Sequence, residues 1–227
     1  MPLLHGRSGG LMENTSAKPG RVIVLNGVPR AGKTSIAREI QQQFPGVWMN
    51  LGVDNHIQAT PDALKPGVGL RPGGRVDPKI EAIVPGLYAA LYDSVRAHAL
   101  HGLNVVMDAK HHDSYIEPRG DMLLDCARRL EGIETLFIGV RCSLEQIWER
   151  LEQTWGLTRD TAGADQIAAI ELGQTVTHEH DYDLVVDTTE RSTADCTAAI
   201  RTLLEHPPSP SAFERLFAGQ SSGPSNS

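Results

Sequence analysis

The chain has 227 residues, of which 40% are hydrophobic and 22% are charged, and its formal net charge is -7. These values are typical of a globular protein that buries a sizeable core, and they exclude a largely disordered chain. The negative charge argues against nucleic acid as a partner, because that binding depends on clustered positive charge. No apolar run is long enough to span a membrane, and residues 1–20 lack the apolar segment of a secretory signal. We therefore expect a cytoplasmic protein with neither a nucleic-acid nor a membrane partner.

Both ends of the chain differ in composition from its middle. Residues 1–20 predict a flexible N-terminal tail. Residues 206–227 are rich in Pro, Ser and Gly, and they predict a disordered tail with at most a short turn at 213–217. Between these tails, residues 21–205 predict a single domain.

The clearest functional pattern lies near the start of this domain. An apolar run, "RVIVLN", leads into "GVPRAGKT", which fits G-x-x-x-x-G-K-[ST] from Gly27 to Thr34, and an apolar helical stripe follows. In such a strand–loop–helix context, backbone N–H groups and the helix N-terminus bind phosphate. Lys33 is expected to reach the terminal phosphates of a nucleotide, and Thr34 is expected to hold Mg²⁺. The residues predicted to contact the nucleotide are Gly27, Val28, Pro29, Arg30, Ala31, Gly32, Lys33, Thr34 and Ser35.

Short apolar runs alternate with helical stretches along the rest of the domain. After the first strand, the predicted strands are "GVWMNLGVD", "NVVMDA", "IETLFIGVRC" and "DLVVDTT". This alternation predicts an α/β fold in which helices cover both faces of a mostly parallel sheet. Residues 60–78, rich in Pro and Gly, break the rhythm. This insertion is either a lid or substrate loop, or an ordinary surface excursion.

Two carboxylates are placed to take part in chemistry, because ligands of open α/β sheets bind at the carboxyl ends of the strands. Asp54 ends the predicted second strand and Asp108 ends the third. With a nucleotide in the loop, one carboxylate would accept the proton of an attacking hydroxyl and the other would orient Mg²⁺. His56 follows the first of these carboxylates, and His111 and His112 follow the second, so we predict that these histidines contact the substrate.

A lid is predicted between two later helices. Arg150 and Arg159 bracket "LEQTWGLTRDTAG" there. Phosphoryl transfer commonly uses an arginine that closes over the γ-phosphate. The functional interpretation of Arg150 and Arg159 is that they act in this way. The ordinary interpretation is a solvated side chain or a helix salt bridge.

Four segments together resemble the chloramphenicol phosphotransferase family, a branch of the P-loop kinases: "VIVLNGVPRAGKTS", "GVWMNLGVDNHIQATP", "GVRCSLEQIWERLEQT" and "THEHDYDLVVDTT". The resemblance implies a P-loop kinase-like three-layer sandwich with a five-stranded parallel sheet and a helical lid. It implies transfer of the γ-phosphate of ATP, with Mg²⁺, to a hydroxyl of a small molecule, and Asp54 as the base. The catalytic set is then Asp54, Lys33, Arg150 and Arg159, and the metal ligands are Thr34 and Asp108.

The sequence indicates the reaction more clearly than it indicates the molecule that accepts the phosphate. After the third strand the family shows paired aspartates followed by apolar residues, whereas this chain has "MDAKHHDS" with Ala109 at the second acidic position. Polar groups in a pocket reject an apolar ligand, so a more polar acceptor is favoured. The leading hypothesis is a kinase of a small hydroxylated molecule, with an antibiotic of the chloramphenicol type as one candidate. The alternatives are a zeta-toxin-like kinase of a nucleotide sugar and a nucleotide-binding regulatory ATPase.

Overall fold

The computed structural model describes residues 18–65, 77–109, 111, 121–178 and 180–221. Its centre is a five-stranded parallel sheet with the order β2-β3-β1-β4-β5. The strands are β1 Val22–Asn26, β2 Trp48–Asn50, β3 Asn104–Ala109, β4 Thr135–Arg141 and β5 Leu184–Asp187. Each lies within a strand that the sequence predicts, and the predicted parallel arrangement is confirmed.

Helices connect the strands and cover the sheet. They are α1 Lys33–Gln43, α2 Val53–Ala59, α3 Pro78–Glu81, α4 Val84–Leu100, α5 Met122–Arg129, α6 Leu144–Trp155, α7 Ala164–His178, α8 Thr193–Glu205 and α9 Ala212–Ser221. Local chemistry sets several helix starts: the Ser143 hydroxyl accepts the backbone N–H of Gln146 at α6, and the Asp121 carboxylate accepts that of Leu124 at α5. Such caps satisfy backbone donors that the helix leaves without an internal partner.

Two hydrophobic cores lie on opposite faces of the sheet. Successive side chains of a strand point to opposite faces, so Val22 and Val24 of β1 belong to one core and Ile23 and Leu25 to the other. The first core lies against α4, α5 and α9, and the second against α1, α6 and α8. All five residues of β1 are buried, which explains why its sequence is almost continuously apolar. The molecule is thus a three-layer α/β sandwich.

The end of the chain corrects one expectation. Residues 212–221 form α9 and not the disordered tail predicted for 206–227. Phe213 is buried, with its ring centroid 5.5 Å from that of Phe137, and the backbone N–H of Ala212 donates to Asp183 at 2.6 Å. The Pro- and Ser-rich composition before α9 predicts disorder, but the helix that follows is stabilised by packing against residues distant in the chain. Of the predicted N-terminal tail, residues 1–17 lie outside the described residues.

The predicted insertion at 60–78 is described only at its two ends. A 3-10 turn covers Asp62–Leu64, and α3 begins at Pro78. Residues 66–76 lie outside the described part of the chain, so the choice between a lid and a surface excursion stays open. Among the helices that the structure describes, none combines the length and the apolarity that crossing a membrane requires.

Candidate active site

The glycine-rich loop runs from the end of β1 to the start of α1, as its sequence predicts. Gly27 passes so close to β4 that a Cβ atom there would lie 2.4 Å from the carbonyl oxygen of Val140. Gly32 takes a left-handed conformation with φ 99° immediately before α1 begins at Lys33. Both positions therefore need glycine, because a side chain would collide at the first and be strained at the second.

Lys33 extends back along the inside of this loop and is only 8% exposed. Its Nζ atom donates to the carbonyl oxygens of Gly27 at 2.8 Å and Val28 at 3.0 Å. The same atom lies 3.5 Å from Oδ1 of Asp108. The ammonium group is thus held at the centre of the loop, where a bound phosphate would meet a positive charge.

Thr34 and Asp108 meet beside that lysine. The Thr34 hydroxyl donates a 2.9 Å hydrogen bond to Oδ2 of Asp108. They meet because β1 and β3 are neighbours in register, with Leu25 opposite Asp108. A hydroxyl and a carboxylate at the mouth of a phosphate loop are the hard oxygen ligands that Mg²⁺ prefers, so this pair fits the predicted metal site.

Asp54 does not end a strand, which corrects the sequence-based placement. β2 stops at Asn50, and Asp54 lies in the first turn of α2 with its side chain exposed. The turn before α2 nevertheless packs closely against Asp108, the candidate metal ligand. A Cβ atom on Gly52 would lie 2.9 Å from Cβ of Asp108. The start of α2 is therefore beside the phosphate loop. His56 lies on the same short helix, half-buried.

The two predicted lid arginines differ in their surroundings. Arg150, on α6, donates to the carbonyl oxygen of Arg30 at 2.9 Å and to the hydroxyl and carbonyl oxygens of Thr188 at 3.1 Å each. It therefore braces the phosphate loop against the end of β5. Arg159 lies in the turn between α6 and α7, with its guanidinium carbon 5.6 Å from the centre of the Trp148 ring. Contact of either arginine with a γ-phosphate stays a prediction.

His111 is buried, and its predicted contact with substrate stays a prediction. It is 1% exposed, its Nε2 atom lies 2.9 Å from the Tyr92 hydroxyl, and its backbone N–H donates to Oδ1 of Asn26 at 2.7 Å. Burial, together with the charge of His180, lowers the pKa of His111 to about 3, so its ring is neutral near neutral pH. His111 thus joins the ends of β1 and β3 inside the protein. His112 lies outside the described residues.

Sequence reasoning missed two polar residues beside the loop, Thr188 and Asn26. The Thr188 hydroxyl donates to the carbonyl oxygen of Ala31 at 2.8 Å, and its methyl carbon would be 3.2 Å from a Cβ atom on Gly32. Asn26 holds both His111 and the hydroxyl of Tyr182, the latter at 2.8 Å. Thr188 directly follows β5, so the rule that singled out the carboxylates, polar residues at strand ends, would have found it too.

Solved kinases share this architecture, a parallel sheet ordered β2-β3-β1-β4-β5 with helices on both faces. A sugar kinase from Janibacter sp. HTCC2649 is similar with a TM-score of 0.57 and 16% identity, over 84% of this chain and 98% of that one. The APS kinase CysC of Mycobacterium tuberculosis, in complex with AMPPNP and APS, is similar with a TM-score of 0.54 and 19% identity. That match covers 82% of this chain and 98% of the APS kinase. The predicted fold class is confirmed.

The family follows from sequence comparison. The profile of the chloramphenicol phosphotransferase-like proteins matches residues 20–205. A Mycobacterium tuberculosis H37Rv protein, provisionally named as an O-phosphotransferase, is 29% identical over 214 residues, which cover 87% of this chain and 88% of that protein. The chain belongs to the chloramphenicol phosphotransferase-like family, as its motifs predicted. It is therefore a phosphotransferase with a kinase fold.

Proposed function

We propose that this protein transfers the γ-phosphate of ATP to a hydroxyl group of a small molecule. The observation that carries the proposal is the set of contacts made by Asp108. One of its carboxylate oxygens accepts the Thr34 hydroxyl at 2.9 Å, and the other lies 3.5 Å from the Lys33 ammonium. A cation of the kind that binds phosphate and two oxygens of the kind that bind Mg²⁺ thus lie together at the mouth of the loop.

The phosphate loop and Lys33 bind the phosphates of the nucleotide in this proposal. Thr34 and Asp108 would hold Mg²⁺, which neutralises charge on the transferred phosphoryl group. ATP is favoured over GTP because none of the lysines lies in an [NT]-K-x-D guanine motif. The AMPPNP bound by the APS kinase of similar fold also supports an adenine nucleotide.

Asp54 is the proposed base, since it is an exposed carboxylate on the helix that starts beside Asp108. It would accept the proton of the acceptor hydroxyl as that oxygen attacks phosphorus.

The two arginines take different roles. Arg150 is a positioning residue, because the three hydrogen bonds that its guanidinium donates to described residues go to the loop and to Thr188. Arg159 is the proposed γ-phosphate contact, since it lies in the turn between two helices where a lid would close. We place the reaction in the cytoplasm, where ATP is supplied.

ADP release measured with ATP and Mg²⁺ against a panel of acceptors tests the proposal. The panel contains chloramphenicol, other hydroxylated antibiotics, simple sugars and UDP-N-acetylglucosamine. We expect one compound to stimulate release and to gain a phosphate by mass spectrometry. Lys33→Ala should abolish this transfer, and Lys18→Ala, which changes a lysine with an 84% exposed side chain near the opposite end of β1, should not.

Other outcomes of this assay separate the alternatives. Stimulation by UDP-N-acetylglucosamine alone would favour the nucleotide-sugar kinase. ATP hydrolysis that no compound changes would contradict the proposal and favour a regulatory ATPase.

A further inference from the structure

Arg30 occupies the centre of the phosphate loop in an unusual backbone conformation. Its φ angle of 66° makes it the one non-glycine residue with positive φ among the described residues. This left-handed region is entered most easily by glycine and asparagine, and an arginine gains nothing there from its backbone. The geometry of the loop therefore does not call for arginine at this position.

The side chain of Arg30 reaches out of the loop to α6. Its guanidinium carbon lies 4.1 Å from the centre of the Trp155 ring, a cation–π distance. Trp155 is the last residue of α6 and is 60% exposed, which is unusual for so large an apolar side chain. The Nε atom of Arg30 is buried and has no hydrogen-bond partner among the described residues. The guanidinium of Arg30 thus packs on the face of the Trp155 ring, and its Nε–H donor makes no hydrogen bond to a described residue.

The backbone of Arg30 is fixed separately from its side chain. Arg150 donates to its carbonyl oxygen at 2.9 Å, and Thr188 donates to the next carbonyl, that of Ala31, at 2.8 Å. The guanidinium can therefore turn toward a ligand without moving the loop. Lys33, by contrast, already uses its ammonium group in hydrogen bonds to two loop carbonyls and in an ion pair with Asp108.

We propose that Arg30 is a second phosphate-binding cation of the loop, and that Trp155 is the positioning residue that holds its guanidinium beside the nucleotide site. A planar guanidinium presents several N–H donors at once and pairs with phosphate oxygens in a two-pronged manner, which a lysine cannot do. The inference rests on the proposed function, because it requires the loop to bind a nucleotide.

Calorimetric titration with ATP and Mg²⁺ tests Arg30 directly. Arg30→Asn removes the charge but tolerates the positive φ, and Arg30→Lys keeps the charge. We expect Arg30→Asn to weaken ATP binding about tenfold or more, as loss of a charged hydrogen bond does, and Arg30→Lys to recover part of that loss. Arg38→Asn removes an exposed arginine from α1 and should bind ATP like the wild type.

The outcomes distinguish this inference from the proposed function. Wild-type protein that binds no ATP refutes both. Wild-type binding with an unchanged affinity in Arg30→Asn overturns the inference alone, and so does equal weakening by Arg30→Asn and Arg30→Lys. For Trp155, Trp155→Leu should raise the KM for ATP severalfold at constant kcat and thermal stability, and Trp155→Phe should restore it. A Trp155→Leu variant with wild-type KM removes Trp155 from the inference.

Discussion

The hydroxyl of Thr34 donates a 2.9 Å hydrogen bond to the carboxylate of Asp108, 74 residues later in the chain. The contact joins the first turn of α1 to the end of β3, and Lys33 lies 3.5 Å from the other carboxylate oxygen. No local pattern links the two residues; the pairing of β1 with β3 does. The arrangement makes each of them testable as a metal ligand.

Replacing Asp108 by Asn should lower kcat/KM by about 100-fold, because the amide still accepts the Thr34 hydrogen bond but no longer offers Mg²⁺ a charged ligand. Thr34→Val should act in the same direction and Thr34→Ser should retain activity. Turnover measured against Mg²⁺ concentration gives the comparison. A wild-type Mg²⁺ dependence in Asp108→Asn would remove Asp108 from the metal site.

Asp54→Asn should lower kcat by about 100-fold or more while leaving ATP affinity unchanged, since a general base acts on the acceptor and not on the nucleotide. The matched control is Glu205→Gln, which alters an exposed carboxylate at the end of α8. Steady-state kinetics together with ATP titration separate the two effects. If Asp54→Asn retains its kcat, another group takes the proton.

His111 should make the protein less stable as the pH falls. Its pKa is about 3 in the folded protein and 6.5 when unperturbed, so between these values the unfolded chain binds a proton that the folded protein does not. The free energy of unfolding therefore decreases as the pH falls from 6.5 toward 3. Denaturant titrations across this range should show a shallower pH dependence in His111→Gln than in the wild type.

The control for this experiment is His101→Gln, which replaces an exposed histidine after α4. It should keep the wild-type pH dependence. An identical slope in His111→Gln and wild type would mean that His111 is not buried neutral in solution.

Phe213→Ala should lower the free energy of unfolding by about 3–5 kcal/mol, the usual cost of removing a buried aromatic ring. The ring is 6% exposed and packs against Phe137 across the sheet face. Gly219→Ala on the same helix is the control: a Cβ atom there meets nothing within 4 Å, so stability should be unchanged or slightly raised. Urea denaturation measures both, and a Phe213→Ala variant of wild-type stability would show that α9 is not docked.

The phosphate loop and the strands were predictable because their signals are local. β1 is buried on both faces, so its residues are apolar up to Asn26 at its end. The loop that follows needs glycine at Gly27 because of close approach and at Gly32 because of positive φ. The family resemblance depends on the same short segments. These features can be predicted from the sequence because they depend on residues that are close together along the chain.

The length of β2 was less predictable. The apolar run "GVWMNLGVD" predicts a strand that reaches Asp54, but only Trp48–Asn50 pair with β3 before the chain turns into α2. β3 continues beyond Val106, the partner of Asn50, as far as Ala109, so β2 ends because the chain turns away into α2, and hydropathy does not record such a turn. The carboxylate nevertheless stays near the loop, because Gly52 lets the turn pass against Asp108.

By itself, then, the sequence determined the parallel α/β sandwich, the phosphate loop with Lys33 and Thr34, and the family. Only the tertiary structure decided that Asp108 meets Thr34, that His111 is buried against Tyr92 and Asn26, that Arg150 braces the loop, and that α9 packs on the sheet. The physical reason is the same in each case. These interactions join groups that lie far apart along the chain, and their distances follow from strand order and register.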